Sequence, residues 1–343
     1  MVVLKLNPIN RQRWQRFRNN RRAFWSLWLF SGLFLLSLMA EFIANERPII
    51  AYHDNTWYAP VFFNYSELAF GGDFDVPADY TDPFIQDLIN EDGWMLWPPV
   101  RFSYRSIHYD LPSPAPSPPS TENWLGTDDQ GRDVVARLLY GTRISILFGF
   151  TLTILTSVVG VAVGAMMGFF GGKLDLFGQR VLEVWSSLPT LFILIIISSM
   201  VQPTFWILMG IMLLFGWMGL VSLVRAESLR ARNFEYVQAA RAMGLGNTAI
   251  IFRHVLPNAM VATITFLPFI LAGSVTTLTG LDFLGFGLPP GSPSLGEMIN
   301  QGKNNVRAPW IGLSVFFMLS LILVLLVFIG EGVRDALDPR RTR

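Results

Sequence analysis

Six long apolar runs constrain this 343-residue chain more than any other feature, because each is long enough to cross a membrane. A helix needs about 20 apolar residues to span the hydrocarbon core of a bilayer. Hydrophobic residues make up 52% of the chain and charged residues only 15%, against about 25% in soluble domains. We therefore expect an all-α integral membrane protein with six transmembrane helices. The runs cover residues 23–43, 144–170, 181–201, 205–224, 259–281 and 310–330.

Local sequence features refine how the spans begin, bend and turn. The first run is too long for a cleavable signal peptide and lacks a small-residue exit motif, so we interpret it as a retained anchor. The third and fourth runs are separated only by residues around Gln202-Pro203, which predicts a tight turn because proline cannot continue a helix. Pro189 lies within the third run and is expected to kink that span.

Basic residues predict the orientation of the spans. Residues 1–22 contain seven basic residues and no acidic residue, which is typical of a cytoplasmic segment. If alternate segments then face inward, 18 of the 26 Lys and Arg residues lie inside, and both termini are cytoplasmic. The predicted regions are a basic N-terminal segment at 1–22, the first transmembrane helix at 23–43, a periplasmic segment at 44–143, a five-helix core at 144–330 and a cytoplasmic tail at 331–343.

The long segment between the first two spans differs in composition from the rest of the chain. Residues 44–143 carry 15 acidic and six basic residues, together with many aromatic residues and prolines. The run PSPAPSPP at 112–119 predicts an extended polyproline II spacer rather than a packed core. The preceding stretch predicts a small cap that is partly β-sheet or irregular. Its acidic residues either keep the segment soluble or dock a periplasmic partner.

Several kinds of chemistry are excluded by residues that the sequence lacks. There is no cysteine, and the three histidines are far apart in sequence, so we expect no metal site and no cysteine nucleophile. None of the three lysines, at positions 5, 173 and 303, precedes a Ser or Thr, so the sequence contains no ATP-binding phosphate loop. The net charge of +1 argues against nucleic-acid binding. We expect neither catalytic residues nor a cofactor.

Two short patterns inside the spans bear on packing. Gly160, Gly164 and Gly168 recur every four positions, which predicts close helix packing, either within the chain or against a partner subunit. Glu183 lies near the end of the third span and is expected to pair with Arg180. An intramembrane proton relay is the competing interpretation of this acidic residue.

The segment 225–258 predicts two short helices that meet at an angle outside the membrane. Good helix formers continue to Met243, and Gly244 suits the left-handed conformation that ends a helix. Asn247 is expected to cap the second helix, and Pro257 to stop it before the next span. A plain interfacial hairpin is the alternative that spacing alone leaves open.

This segment resembles the EAA loop of permease subunits in ABC importers, which contacts the ATPase. Gln238 stands where the loop usually has Glu, so a charge is lost while an acceptor is kept. His254 stands where an apolar residue is usual, although the peptide-importer branch commonly has His. The resemblance implies ATPase-coupling roles for Gln238, Ala239, Ala240, Gly244, His254, Leu256 and Pro257.

Two further motifs resemble those of dipeptide and oligopeptide importers. WLGTDDQGRD at 124–133, followed by LYGTRIS at 139–145, is similar to the segment before their second span. LDFLGFGL at 281–288, with PSLG at 293–296, follows the fifth span. The first 120 residues, with their Arg-rich start, resemble the branch associated with microcin C and peptide uptake.

The resemblance implies a type I ABC importer permease fold in a bacterial inner membrane. It implies a second permease subunit, an ABC ATPase and a periplasmic peptide-binding protein as partners, and import of peptides or peptide-like antibiotics of the microcin C type. Import of dipeptides or nickel is the alternative within this family. A secondary transporter driven by an ion gradient is a rival, although the spans carry almost no midplane charge. The sequence does not indicate which residues line the pathway.

Overall fold

The computed structural model describes residues 8–201 and 204–338. The predicted turn at Gln202-Pro203 and the last five residues of the tail lie outside the described residues. The helices are α1 Pro8–Asn19, α2 Arg21–Leu38, α3 Ala40–Ile43, α4 Pro83–Glu91, α5 Val134–Phe170, α6 Gly172–Ser186, α7 Thr190–Met200, α8 Phe205–Gly216, α9 Met218–Ala231, α10 Glu235–Ala242, α11 Asn247–Ile250, α12 Leu256–Phe283, α13 Leu295–Asn304 and α14 Pro309–Leu337. The strands are β1 Ile50–His53, β2 Thr56–Tyr58 and β3 Trp94–Leu96.

The predicted spans are helical over most of their length. Within the described ranges, four helical stretches are long and apolar enough to cross a membrane, namely α5, α8 with α9, α11 with α12, and α14. The bent pair α6 and α7 supplies a fifth. The 18-residue helix α2 covers most of the predicted first span, and the short α3 continues it. The fold is that of an all-α membrane protein, as predicted.

The third predicted span is bent rather than straight. Helices α6 and α7 meet at 64° across a break of three residues, 187–189. Pro189 is the N-cap of α7, and its ring and missing N–H explain why the helix cannot pass through this position unbroken. The predicted kink is confirmed. Arg180 donates to Glu183 at 2.6 Å, so the predicted ion pair is confirmed as well.

The glycines of α5 fit against α9 of the same chain. A Cβ added at Gly164 would lie 2.8 Å from the carbonyl oxygen of Val221, and Gly160 and Gly168 approach α9 similarly closely. Such distances leave no room for a side chain, so the helix backbones themselves are in contact. The sequence left open whether these glycines pack within the chain or against a partner subunit. In the structure they pack within the chain.

The inter-span segment, residues 44–133, forms a small subdomain. Its sheet is antiparallel with the order β2-β1-β3, and Ala51 pairs with Tyr58 on one side and Met95 on the other. One face of this sheet packs on α4 and a 3₁₀ turn at Glu67–Phe70, around the buried side chains of Phe70 and Ile89. The expectation of a small, partly β cap is confirmed.

Helix α5 begins at Val134, about ten residues before the predicted second span, because the Asp133 side chain caps it by accepting from the N–H of Ala136. One expectation for this segment is wrong. The Pro-rich run is not an unpacked spacer, since residues 112–116 bend and Ser117 is buried. The N–H of Ser117 donates to Oγ1 of Thr127, which ties the run to the loop before α5.

Helix α1 packs on the end of α14. Phe17 and Ala23 form a small buried cluster with Ala336, and a Cβ added at Gly332 would lie 2.1 Å from the Cβ of Ala23. Arg16 also donates to the carbonyl oxygen of Asp338. The two ends of the described chain therefore lie on the same side of the helical bundle.

Candidate functional site

The predicted coupling segment folds as two short helices joined by a glycine turn. Helix α10 ends at Ala242, and Gly244 has a φ of +84°, in the left-handed region. The N–H of Leu245 donates back to the carbonyl oxygen of Ala240 at 3.1 Å. This is the arrangement by which a glycine closes a helix C-terminus, so the predicted conformation of Gly244 is confirmed.

Helix α10 buries one face and exposes the other. Val237 and Ala240 are buried with Phe169 of α5 and Ile250 of α11. The residues Gln238, Ala239, Met243 and Gly244 lie on the exposed surface, and Met243 is 74% exposed. We call this exposed set the coupling surface. Two of the seven predicted residues therefore differ in exposure, because Ala239 lies on the surface whereas Ala240 packs inward.

Two expectations for this segment are wrong. The N-cap of α11 is Gly246, in an extended conformation, and Asn247 is the first residue of that helix. Pro257 does not stop the second helix, because α11 continues through a π-helical turn at Ile251–Val255 directly into α12. The π turn shifts the hydrogen-bond pattern just before the proline, so its missing N–H falls in the first turn of α12.

His254 and its neighbours connect α10 to the membrane-spanning helix. The His254 ring is half-buried and lies 6.0 Å from the ring of Tyr236 on α10. Nδ2 of Asn258 donates to Oη of Tyr236 at 2.6 Å and to the carbonyl oxygen of His254 at 3.2 Å. Leu256 is half-buried, and Pro257 is exposed beside it. A displacement of α10 thus reaches α12 through direct contacts.

A polar cleft of about 530 Å³ lies between the coupling surface and the end of α5. Arg241 stacks over the ring of Phe169 at 5.5 Å, and Nε2 of Gln238 donates to the carbonyl oxygen of Asn233 at 3.3 Å. The side chains here present donors without a negative charge, which suits acidic groups of a partner. The lining residues are Phe169, Phe170, Arg232, Asn233, Gln238, Arg241 and Asn247.

A second site, at the opposite end of the bundle, is a buried ionic network. Arg132 Nε lies 2.7 Å from Oδ2 of Asp128, and its Nη2 lies 3.2 Å from Oε1 of Glu297. Arg137 Nη2 lies 2.9 Å from Oε2 of Glu297. The side chains of Asp128 and Arg137 are fully buried. The network joins the loop before α5 to α13, so it holds together parts of the chain that are distant in sequence.

Arg137 and Glu297 lie just outside the segments that resemble family motifs, so those motifs do not include them. Asp128 and Arg132 are charged residues inside the motif at 124–133, but the resemblance predicted no role for them. The same holds for Asp282, which accepts from Oγ of Ser294 at 2.5 Å and from the N–H of Leu288 at 2.7 Å. These contacts fold the loop after α12 back onto that helix.

Asp133 belongs to the same end of the molecule. Its carboxylate accepts from Nδ2 of Asn123 at 2.9 Å in addition to capping α5. Burial raises the pKa of the Asp133 carboxyl above its ordinary value, and these hydrogen bonds offset part of that effect. Asp133 therefore has a structural role at the start of the second span.

Comparison with known proteins identifies the family. Residues 160–343 match the family described as "Binding-protein-dependent transport system inner membrane component". The chain belongs to this family. Residues 10–66 also match the family described as "N-terminal TM domain of oligopeptide transport permease C". The protein is thus a multi-pass permease subunit of the inner membrane, and the resemblance to ABC importer permeases is confirmed.

Individual relatives match the chain over nearly its whole length. It is 58% identical to the inner membrane ABC transporter permease protein YejE of Escherichia coli K12, over 98% of this chain and 99% of that protein. It is 57% identical to the peptidoglycan transport system permease protein YejE of Agrobacterium fabrum, over 98% and 94%. The oligopeptide transport system permease protein OppC of Lactococcus lactis subsp. cremoris is 36% identical over 66% of this chain and 78% of that protein.

Among solved structures, an inward-facing form of the MetNI methionine ABC transporter aligns with a TM-score of 0.49 and 17% identity. The alignment covers 58% of this chain and 96% of that one.

Proposed function

We propose that this permease subunit moves peptides or peptide-like compounds inward across the membrane, driven by a separate ATPase that docks on the coupling surface. The observation that carries the proposal is the continuous helix from Asn247 to Phe283, which connects the base of the coupling segment to the far side of the bundle. The chain itself lacks a phosphate loop, so the energy of transport comes from a partner.

The contacts of α10 support a direct mechanical role. Closure of an ATPase dimer against the coupling surface displaces α10, whose buried face is packed on α11. Tyr236 and Asn258 carry this displacement to the start of α12, and the π turn between α11 and α12 is the element that absorbs a change of angle. Tilting of α12 then opens the pathway alternately to the two sides of the membrane.

The orientation we propose places both termini and the coupling surface in the cytoplasm and the inter-span segment in the periplasm. The distribution of basic residues supports it, and so does the packing of α1 on α14, which brings both ends to one side. Because the native chain has no cysteine, single cysteines test the orientation directly. In intact spheroplasts, a membrane-impermeant maleimide should label Thr121→Cys and leave Met243→Cys unlabelled; the reverse pattern contradicts it.

The remaining partners follow from the same proposal. A second permease subunit completes the pathway, and a periplasmic binding protein delivers the cargo. The names of the relatives support peptide cargo, since they mention oligopeptides and peptidoglycan, whose cross-links are short peptides. Peptide-like antibiotics of the microcin C type share that backbone chemistry. Growth of a deletion strain on a peptide as sole source of a required amino acid, with and without the cloned gene, tests the cargo.

The docking role of the coupling surface is tested by Gly244→Glu. Gly244 has open space around it, so the substitution leaves the bundle intact while placing a charge and backbone strain at the surface. We expect the membrane-inserted variant to lose co-purification with the ATPase. Gly291→Glu is the matched control, because Gly291 is also left-handed, with open space, but follows α12 at the other end. Normal co-purification of the Gly244 variant would refute the docking role.

A further inference from the structure

A cleft of about 490 Å³ lies within the inter-span segment, away from the coupling surface. It is bounded by α4, by the chain that follows β3 and by the loop before α5. Cavities of about 300–1,000 Å³ are of the size that holds small ligands rather than protein surfaces. The lining residues are Thr81, Gln86, Trp97, Pro99, Arg101, Phe102, His108, Thr121 and Glu122.

Arg101 is the distinctive residue of this cleft. Its guanidinium lies 5.1 Å from the centroid of the Trp97 ring, on which it stacks, and it makes no ion pair with any residue that the structure describes. This is notable because residues 44–143 contain 15 acidic residues. An arginine held on an aromatic ring presents its planar fork of donors, which matches a carboxylate in a bidentate manner.

Other lining residues supply complementary groups. Glu122 has a side chain that is 67% exposed and lies 3.3 Å from Nε2 of His108. The Phe102 ring lies 4.7 Å from the His108 ring, and Phe102 and Trp97 are the aromatic apolar side chains among the lining residues. A positive group, a negative group and aromatic rings thus line one cleft, which is the set of contacts that a short zwitterionic peptide requires.

The cleft is also connected to the second membrane span. Nδ1 of His108 lies 2.9 Å from Oδ1 of Asn123, and Asn123 donates to the Asp133 carboxylate that caps α5. Because each of these side chains is held by the next, the wall of the cleft has a fixed position relative to the start of α5.

We propose that this cleft binds the free C-terminal carboxylate of a short peptide through Arg101, with the peptide's amino group near Glu122. The choice of a peptide rests on the proposed function, whereas recognition of a carboxylate rests on the cleft alone. The site is separate from the coupling surface, so it samples cargo on the outer side without taking part in ATPase docking.

Saturation-transfer NMR on the full chain in nanodiscs tests the proposal, with the tripeptide Ala-Ala-Phe as probe. Amidation of the peptide C-terminus and the variant Arg101→Gln should each weaken binding about tenfold, and the variant should no longer distinguish acid from amide. Arg105→Gln is the matched control, since Arg105 stacks on Tyr104 and does not line the cleft. It should bind the acid like the wild type.

Three results would overturn the proposal: no saturation transfer to the tripeptide, equal binding of acid and amide, or an equal loss in Arg105→Gln. A fourth result would also overturn it, namely that a peptide with an acetylated N-terminus and an amidated C-terminus, whose one carboxylate is a glutamate side chain, binds as tightly as Ala-Ala-Phe. The ligand of the cleft would then be an acidic side chain, such as a binding protein offers. Failure of the proposed function is seen separately, as absence of the ATPase from preparations of the wild-type chain.

Discussion

Arg137 on α5 donates through Nη2 to Oε2 of Glu297 on α13 at 2.9 Å, although 160 positions separate the two residues. The Arg137 side chain is fully buried, and Nε of the same guanidinium lies 3.5 Å from Oδ2 of Asp128. A buried guanidinium is costly unless carboxylates compensate it. Charge compensation therefore holds this end of the bundle in one arrangement, and removal of one partner is expected to have a large effect.

Glu297→Ala is expected to destabilise the protein by about 3–5 kcal/mol, because it leaves buried positive charge without its partner. Thermal unfolding of the detergent-solubilised chain measures the effect. Glu183→Ala is the control, since its pair with Arg180 is exposed and such pairs contribute about 0–1 kcal/mol. Similar melting temperatures for the two variants would show that the network is not stabilising.

Gly164→Ala is expected to destabilise the contact between α5 and α9. The new methyl would lie 2.8 Å from the carbonyl oxygen of Val221 and 2.9 Å from Cβ of Val224, so the helices must separate, at a cost of about 1–3 kcal/mol. Gly210→Ala on α8 has open space and should be neutral or slightly stabilising. Unfolding in a denaturant series compares the two, and equal stability contradicts the packing described.

Gly244→Ala is expected to weaken coupling, whereas Gly246→Ala is not. Both positions have open space, but Gly244 has a φ of +84° and Gly246 a φ of −66°. The left-handed conformation costs a residue with a Cβ about 1–2 kcal/mol, so the first substitution alone strains the turn. Peptide-stimulated ATP hydrolysis by the reconstituted importer is the measurement. An equal loss in both variants would mean that conformation is not the cause.

The stability of the chain should depend on pH through Asp133. Burial raises the pKa of this carboxyl in the folded state above the ordinary value near 3.8, so the folded chain binds its proton more tightly than the unfolded chain. Stability therefore falls as the pH rises from about 3.8 through the raised value. Asp133→Asn keeps an acceptor for the cap of α5 and should flatten this part of the melting-temperature profile between pH 4 and 7. Identical profiles would contradict this assignment.

How far the sequence predicted the structure differs from feature to feature. The apolar runs predicted the spans because a bilayer demands a minimum length of apolar helix whatever the neighbours are. Gly244 was predicted as a helix end because left-handed backbone is a property of the residue itself. Pro257 does not stop the helix as predicted. The helix continues through the π turn that precedes the proline, and no local sequence pattern indicates that turn.

The candidate sites, too, were predicted only in part from the sequence. Gln238, Ala239 and Gly244 of the coupling surface were predicted from a motif, whereas the exposure of Met243 and the burial of Ala240 depend on how α10 packs. The sequence did not predict the ionic network, because Arg137 and Glu297 are distant in the chain. Which buried charges pair depends on which helices pack together.

By itself, the sequence determined that this protein crosses a membrane several times, carries no phosphate loop of its own and presents a glycine-ended helix between two spans. These properties follow from hydropathy, residue types and local backbone preference. Only the tertiary structure decided that α5 packs on α9 through Gly164, that Arg101 lines a cleft without an ion pair among the described residues and that Arg137 meets Glu297. Those outcomes depend on contacts between distant residues, whose energies exist only once the chain has folded.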